Sequence, residues 1–196
     1  MKHWFFLFLA TALLAGCSAR TVFVADVDVL SFISAEQLEN DLVIPGSIQA
    51  FVPDADDNLT TPDGGQLLNR LPLLEKLSAF AVQVSVEVEN TGSGTLDVSS
   101  EFRLAPVGDD KDIYDGVDDM KLAEASFHLA PGSKDTITLT AELEKGDPAM
   151  RLITNEGFRV GMKIKALGTS TAHYKITDFS LLLKQRPFDL IPDNGH

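Results

Sequence analysis

An antiparallel β-sandwich of about eight strands with only short helices is the fold class that this 196-residue sequence predicts, on three observations. Apolar and polar residues alternate in period two through most of the chain from Val22 to Lys184, the pattern of strands with one dry face and one wet face. Clusters of glycine, proline, asparagine and aspartate interrupt that alternation at strand-length intervals, as in sandwiches. Helical spacing appears only in brief stretches, too short to form a layer of helices.

Taken in order, residues 22–33 place Ala25, Val27 and Val29 on one face against Asp26 and Asp28, then change phase at Leu30 and Phe32, which predicts a bulge. Ser34-Ala35-Glu36-Gln37 has the spacing of a capping box and opens a short helix. Pro45-Gly46 predicts a turn into a strand over 47–52, and polar residues 53–66 predict a loop. Leu67, Leu68, Leu71, Leu74 and Leu77 recur at helical spacing around Pro72 and predict a leucine-lined lid over one end of the sheet.

Phe80, Val82, Val84, Val86 and Val88 alternate with polar residues, and Leu96, Val98, Phe102 and Leu104 do the same after Asn90-Thr91-Gly92-Ser93-Gly94, which predicts a hairpin. Further strands are predicted through Ala123, Ala125, Phe127 and Leu129, and through Ile137, Leu139, Ala141 and Leu143, with Pro131-Gly132-Ser133 between them. Asp147-Pro148 predicts a cap and first residue of a short helix ending near Gly157. Two last strands are expected over 158–167 and 172–184, the second changing phase at Asp178, and residues 187–196 form an extended tail.

The amino terminus is organised differently. Lys2 precedes an apolar run from Trp4 to Ala15, which is shorter than the roughly 20 residues of a transmembrane helix and reads as a secretory leader. It ends in Leu14-Ala15-Gly16-Cys17, and Cys17 is the only cysteine, so no disulfide can form within the chain. These four residues resemble the lipobox of bacterial lipoproteins. The resemblance implies that residues 1–16 are removed, that Cys17 becomes the acylated mature N-terminus, and that the protein is anchored to a membrane of the bacterial cell envelope. Ser18 after the cysteine resembles lipoproteins sent to the outer membrane in organisms that have one. The expected organisation is therefore a leader over 1–16, a lipidated tether over 17–21, a single sandwich domain over 22–186 and the tail.

Residues 80–143 also resemble the immunoglobulin-like adhesion-type domains of bacterial envelope proteins. The residues that carry this are Val84-Ser85-Val86-Glu87-Val88-Glu89-Asn90-Thr91-Gly92 at a strand end, and Leu129-Ala130-Pro131-Gly132-Ser133 leading into Thr136-Ile137-Thr138-Leu139-Thr140. The resemblance implies an immunoglobulin-like sandwich. It rests on turn chemistry and assigns no activity.

Charge narrows the partners. The full chain is formally −13, and the leader carries only Lys2, so the chain from Cys17 onward is near −14. Such a field opposes nucleic acid, whose phosphates it would repel. Asp109, Asp110, Asp112, Asp115 and Asp118, with Asp119 beside them, crowd one loop, and an oxygen-rich cluster of this kind suits calcium. Asp54, Asp56 and Asn58 begin like an EF-hand loop, but Leu59 occupies the position where the turn needs glycine, which rules that motif out. The plainer reading of the acidic loop is a solvated stretch that keeps strand edges from pairing.

No catalytic motif accompanies these features. His128 and His173 are the imidazoles left within the predicted domain, both on polar sides of strands. No nucleophile elbow, zinc spacing or phosphate-binding glycine loop surrounds them. The expectation is a non-enzymatic, membrane-anchored module with no cofactor, offering a structural or interaction surface to another envelope protein or a glycan. Two alternatives stand beside it: a lipoprotein holding a lipid or other apolar ligand beneath the Leu67 to Leu77 segment, and calcium-dependent adhesion or glycan binding through the acidic loop.

Overall fold

The computed structural model describes residues 22–54, 59–69, 71 and 74–186. The leader, Cys17, the tether, Asp56, Asn58, Pro72 and the 187–196 tail lie outside the described residues. Eight antiparallel strands carry the fold: β1 (Phe23–Asp28), β2 (Glu39–Val52), β3 (Gln66–Leu68), β4 (Leu77–Asn90), β5 (Leu96–Ala105), β6 (Met120–Leu129), β7 (Lys134–Glu144) and β8 (Phe158–Gln185). The mainly β, antiparallel architecture expected from the alternation is thus present, and the helices among the described residues are short turns.

β8 organises the layers. Its first half pairs with β5 on one side and with the end of β2 and β3 on the other; its second half pairs with β4 on one side and with β1 and the start of β2 on the other. β6 then extends the first layer beyond β5, and β7 extends the second beyond β4. Phe80 of the second layer meets Phe158 of the first edge-on at 5.9 Å, and Phe102 of the first meets Phe179 of the second at 5.7 Å. These T-shaped contacts place the two inner faces against each other, which is the geometry aromatic pairs favour.

The corner between layers lies where Gly46 of β2 pairs with Gly168 of β8, both at positive φ, 139° and 135°. Side chains rarely adopt this backbone region, so glycine at both positions lets two paired strands bend together. The turn predicted at Pro45-Gly46 is therefore a bend within one 14-residue strand, and the two last strands predicted over 158–184 are one 28-residue strand. Pro45 is tolerated because β2 is an edge strand, where an absent N–H leaves no ladder partner unmet. The phase change expected at Asp178 is present as a bulge: Ser85 pairs with Asp178 but Val86 pairs with Ile176, leaving Thr177 extra.

The predicted hairpin of β4 and β5 is corrected. The two strands do not pair with each other; each pairs with β8, and residues 91–95 arch from one layer to the other. Residues 130–133 cross between layers in the same way, from β6 to β7. Asn90 holds the arches together. Its buried side chain donates from Nδ2 to Gly94 O at 2.7 Å and Leu129 O at 3.3 Å, while its Oδ1 accepts from Ser170 Oγ at 2.7 Å and Gly92 N at 3.3 Å.

Three local expectations are also corrected. The phase change after Asp28 comes from a 3-10 helix over Val29–Phe32 capped by Asp28 Oδ1, which accepts from Leu30 N at 3.0 Å, and not from a bulge. Ser34 precedes a single α-helical turn, Ala35–Leu38, but makes no side-chain cap. Gln37 faces inward instead: its Nε2 donates to Asp54 O at 2.6 Å and its Oε1 accepts from Asp54 N at 2.9 Å. Tyr174 Oη donates to Gln37 O at 2.9 Å, and burial pushes that phenol up to about 12.

Among the described residues the leucine stretch forms no helix of the predicted length. Leu68 belongs to β3, Leu74 to a 3-10 turn over Leu74–Lys76, and Leu77 opens β4. Leu68 and Leu74 are buried in the main core, so they fill the space between the layers. Asp147 precedes a 3-10 helix, Pro148–Leu152, but its carboxylate accepts from Glu144 N at 2.7 Å, bracing the end of β7.

Candidate functional site

The acidic loop that the sequence singles out, residues 106–119 between β5 and β6, folds over the outer face of the first layer. What holds it there is apolar. Ile113 and Tyr114 are buried against Phe51 and Ala105 in a small second core, with the Phe51 and Tyr114 rings 4.8 Å apart. Gly161 makes room: a Cβ there would collide with the Tyr114 hydroxyl and the Ile113 Cδ1. Tyr114 Oη donates to Met162 O at 3.3 Å, and burial drives its pKa well above the ordinary value. Arg159 secures the flank, donating from Nε to Val107 O at 2.9 Å and from Nη1 to Gly64 O at 3.0 Å.

Once the loop is anchored, its carboxylates fold it further. Asp112 Oδ1 accepts from Tyr114 N at 2.8 Å and Asp115 Oδ1 from Val117 N at 2.8 Å, both aspartate-capped turns. Asp119 Oδ2 accepts from Gly116 N at 2.6 Å, and its other oxygen accepts from Arg103 Nη1. Asp110 and Asp118 are exposed. Among the described residues no three or more histidine, cysteine, aspartate or glutamate side chains are arranged to hold a metal ion. The five residues expected to surround calcium thus share a loop and a field, but not a common coordination point.

That field acts on Asp109. Its Oδ2 is buried without a hydrogen-bond partner. Burial first, and then the charges of Asp119, Asp115, Asp118 and Asp112, push its carboxyl up to about 6. The folded state therefore binds this proton more tightly than the unfolded chain does. Stability conferred by the neutral carboxyl is full below about pH 4 and is lost as pH rises to about 6. Asp109→Asn, which keeps the shape without the charge, is expected to raise stability at pH 7 by about 1 kcal/mol after allowance for solvent screening. Chemical denaturation from pH 4 to 8 checks this: the variant should match the parent at low pH and exceed it at high pH.

Beneath the loop lies a row of paired charges. Glu101 accepts from Arg103 Nε at 3.0 Å and from Lys163 Nζ at 2.5 Å, and the Lys163 ammonium stands 6.0 Å from the Tyr114 ring centroid. Burial alone would raise the Glu101 pKa, but the bonds from Lys163 and Arg103 outweigh it and hold the carboxyl below its ordinary value. Arg103, shared by Glu101 and Asp119, ties the loop's exit to β5.

The two histidines sit apart on outer faces. His128 Nδ1 is 2.8 Å from Asp97 Oδ1 across the β5–β6 pair, and both side chains are exposed. His173 is engaged by Asp41 Oδ1 at 2.9 Å and Glu39 Oε1 at 3.2 Å, and the Asp41 bond leads in raising its pKa. Glu39 also accepts from Lys175 at 2.7 Å, and Lys134 meets Glu87 at 2.6 Å on the neighbouring strands. This is a ladder of cross-strand ion pairs on the second layer's wet face, a common sheet device. Lower on that face, Ala81, Gln83, Thr140, Glu142, Ser180 and Leu182 line a shallow trough of about 240 Å³.

The second core was not legible in the sequence. Phe51 lies more than fifty residues before Ala105, Ile113 and Tyr114, and no periodicity links it to the loop. The one local signal was apolar residues embedded in an otherwise charged loop.

No protein-family model and no curated protein matches this chain. Among solved structures it is similar to that of the infectious bursal disease virus Gt strain, at 11% identity and a TM-score of 0.42, over 86% of this chain and 33% of that one. It is also similar to the crystal structure of PirA, at 13% identity and a TM-score of 0.34, over 73% of this chain and 96% of that one. A third match is to the CBM22-1–GH10 modules of Clostridium thermocellum xylanase 10B, at 11% identity and a TM-score of 0.31, over 79% of this chain and 27% of that one. The chain spans about a third of the length of the viral protein that it matches. Likenesses of this strength assign neither a family nor a function.

Proposed function

We propose that this chain is a membrane-anchored lipoprotein of the bacterial cell envelope whose β-sandwich serves as a non-catalytic structural or interaction module. The observation that carries the reading is Leu14-Ala15-Gly16-Cys17 at the end of an apolar leader, five residues before the first described residue, Val22. Cys17 takes the lipid, and the membrane is its partner through that lipid. Two or three acyl chains would hold it firmly, since each buried CH₂ contributes about 0.8 kcal/mol. The polar groups that drew notice in the sequence support a binding or scaffolding role over chemistry. Arg103 and Lys163 are balanced by Glu101 and Asp119, His128 is paired with Asp97, and His173 is held by Asp41 and Glu39, both on open faces.

Cys17→Ser is expected to abolish acylation and leave residues 1–16 attached. Intact-mass spectrometry of the membrane fraction checks both at once. The parent should lack the leader and carry diacylglycerol on Cys17, and the variant should show the full precursor mass. A parent chain cut elsewhere and bearing no lipid would refute the reading. The partner on the envelope side is sought by crosslinking in intact cells.

A further inference from the structure

The end of the second layer where the chain enters is unlike the rest of the surface. Val22, Phe23 and Val24 are 50%, 47% and 49% exposed. Phe23 lies on the side of β1 that Ala25 and Val27 turn toward the core, yet at the strand's first position it stays half exposed. Val24 lies on the outer side, where the following residues are Asp26 and Asp28. The outer face of β1 thus runs from apolar to acidic with distance from the point of entry.

Cations gather at the same end. Phe23 pairs with Gln185, and Val24 with Lys184. Arg186 N donates to Lys76 O at 3.0 Å, and Lys145 N to Ser78 O at 3.1 Å. Lys76, Lys145, Lys184 and Arg186 are all exposed. Glu144 and Asp147 are the acids beside Lys145, and Glu75 precedes Lys76 in the chain. Four cations against these three acids reverse, at this end, the balance of a chain of net charge −13.

The position of the lipid gives this surface its occupant. Four residues, Ser18 to Thr21, separate Cys17 from Val22, and the five steps between the two span at most about 18 Å when fully extended. We propose that Val22, Phe23 and Val24, ringed by Lys76, Lys184 and Arg186, form a foot that enters the headgroup region of the membrane holding the Cys17 lipid, an inference that rests on the lipidation proposed above. Apolar side chains seat among the upper acyl groups, and the cations meet lipid phosphates. The sandwich then stands with its corner at Gly46 and Gly168 outward, tilted so that the edge of the second layer, and not the acidic 106–119 loop at the same end of the first layer, meets the headgroups.

The test uses the processed, lipidated protein in vesicles of phosphatidylcholine and phosphatidylglycerol. Trp4 is the chain's only tryptophan and leaves with the leader, so Phe23→Trp places a single indole in the foot. Vesicles brominated near the top of the acyl chains are expected to quench its emission about twofold relative to unbrominated ones. Val22→Trp serves as a second probe. Val43→Trp, an exposed site near the corner and roughly 40 Å away along β8, should be unaffected. Equal emission from both foot variants in both vesicle types, with mass spectrometry showing an acylated Cys17, would overturn the foot and leave the anchor standing. An unacylated Cys17 would overturn both.

Discussion

Asn90→Asp should destabilise the fold by about 4 kcal/mol at neutral pH, a large share of the stability of any single domain. The asparagine is fully buried, and its amide donates to two carbonyls, Gly94 O in one inter-layer arch and Leu129 O at the strand end that leads into the other. Aspartate retains the acceptor that serves Ser170 Oγ and Gly92 N, but it turns an oxygen toward both carbonyls and brings a charge into a fully buried site. Proton uptake relieves this, so the introduced carboxyl has a raised folded-state pKa. The penalty is then smallest near pH 4 and grows as pH rises through the folded value. Asn90→Ala removes all four bonds without adding charge; its cost of about 3 kcal/mol should not depend on pH. Urea denaturation of both variants at pH 5 and pH 8 separates these effects. A loss under about 1 kcal/mol for either would mean that the arches do not depend on this side chain.

Why Asn90 went unrecognised shows how far alternation can be read. Val84, Val86 and Val88 were placed correctly on the inner face because a period of two reports which side of a strand is dry, and all three are buried. The same period is silent on which strand lies alongside. A loop such as residues 91–95 can close a hairpin within one layer or arch across two, and the flanking residues alternate identically in both cases. Only the inward turn of the Asn90 amide, which bonds backbone of residues 92–94 and of Leu129 and the Ser170 hydroxyl, decides for the arch, and that is a tertiary fact. The leucine spacing from Leu67 to Leu77 misled for a related reason. Leu68 and Leu74 are needed by the core at one end of the sandwich, and a stretch that crosses from one layer to the other can supply them without a helix.

Side-chain chemistry was less legible than strand position, because most of the polar groups serve the backbone beside them. Ser34 and Gln37 have capping-box spacing, yet Gln37 contributes more by pairing with the buried backbone of Asp54, seventeen residues on, than by capping a single turn. The aspartates of the 106–119 loop look like ligands by composition. Asp112, Asp115 and Asp119 instead accept N–H groups within the loop, and Ile113 and Tyr114 among them carry the packing. Charge density is visible in a sequence, whereas the direction in which each carboxylate points is set by turns that only the folded loop defines.

The corner can be tested with the two glycines that face each other across it. Gly46 and Gly168 share nearly the same strained backbone, so alanine at either meets a similar conformational penalty of about 1–2 kcal/mol. Their surroundings differ. A Cβ on Gly46 would touch nothing within 4 Å, whereas one on Gly168 would collide with Thr95 O and press on Leu96 Cδ2 at 3.0 Å. Thr95 lies in the arch that leads into β5, and Leu96 is buried in the core, so neither can yield without moving a strand. Gly168→Ala is therefore expected to cost about 4 kcal/mol and to lower Tm by about 10 °C, against a drop of a few degrees for Gly46→Ala. Thermal melts of the two variants side by side measure the difference, in which backbone strain largely cancels and the clash remains. Equal drops would mean that the corner relaxes freely and that β8 bends independently of the β4–β5 arch. A much larger loss at Gly168 would show that one close approach fixes both the bend of the longest strand and the crossing that sets the two layers face to face.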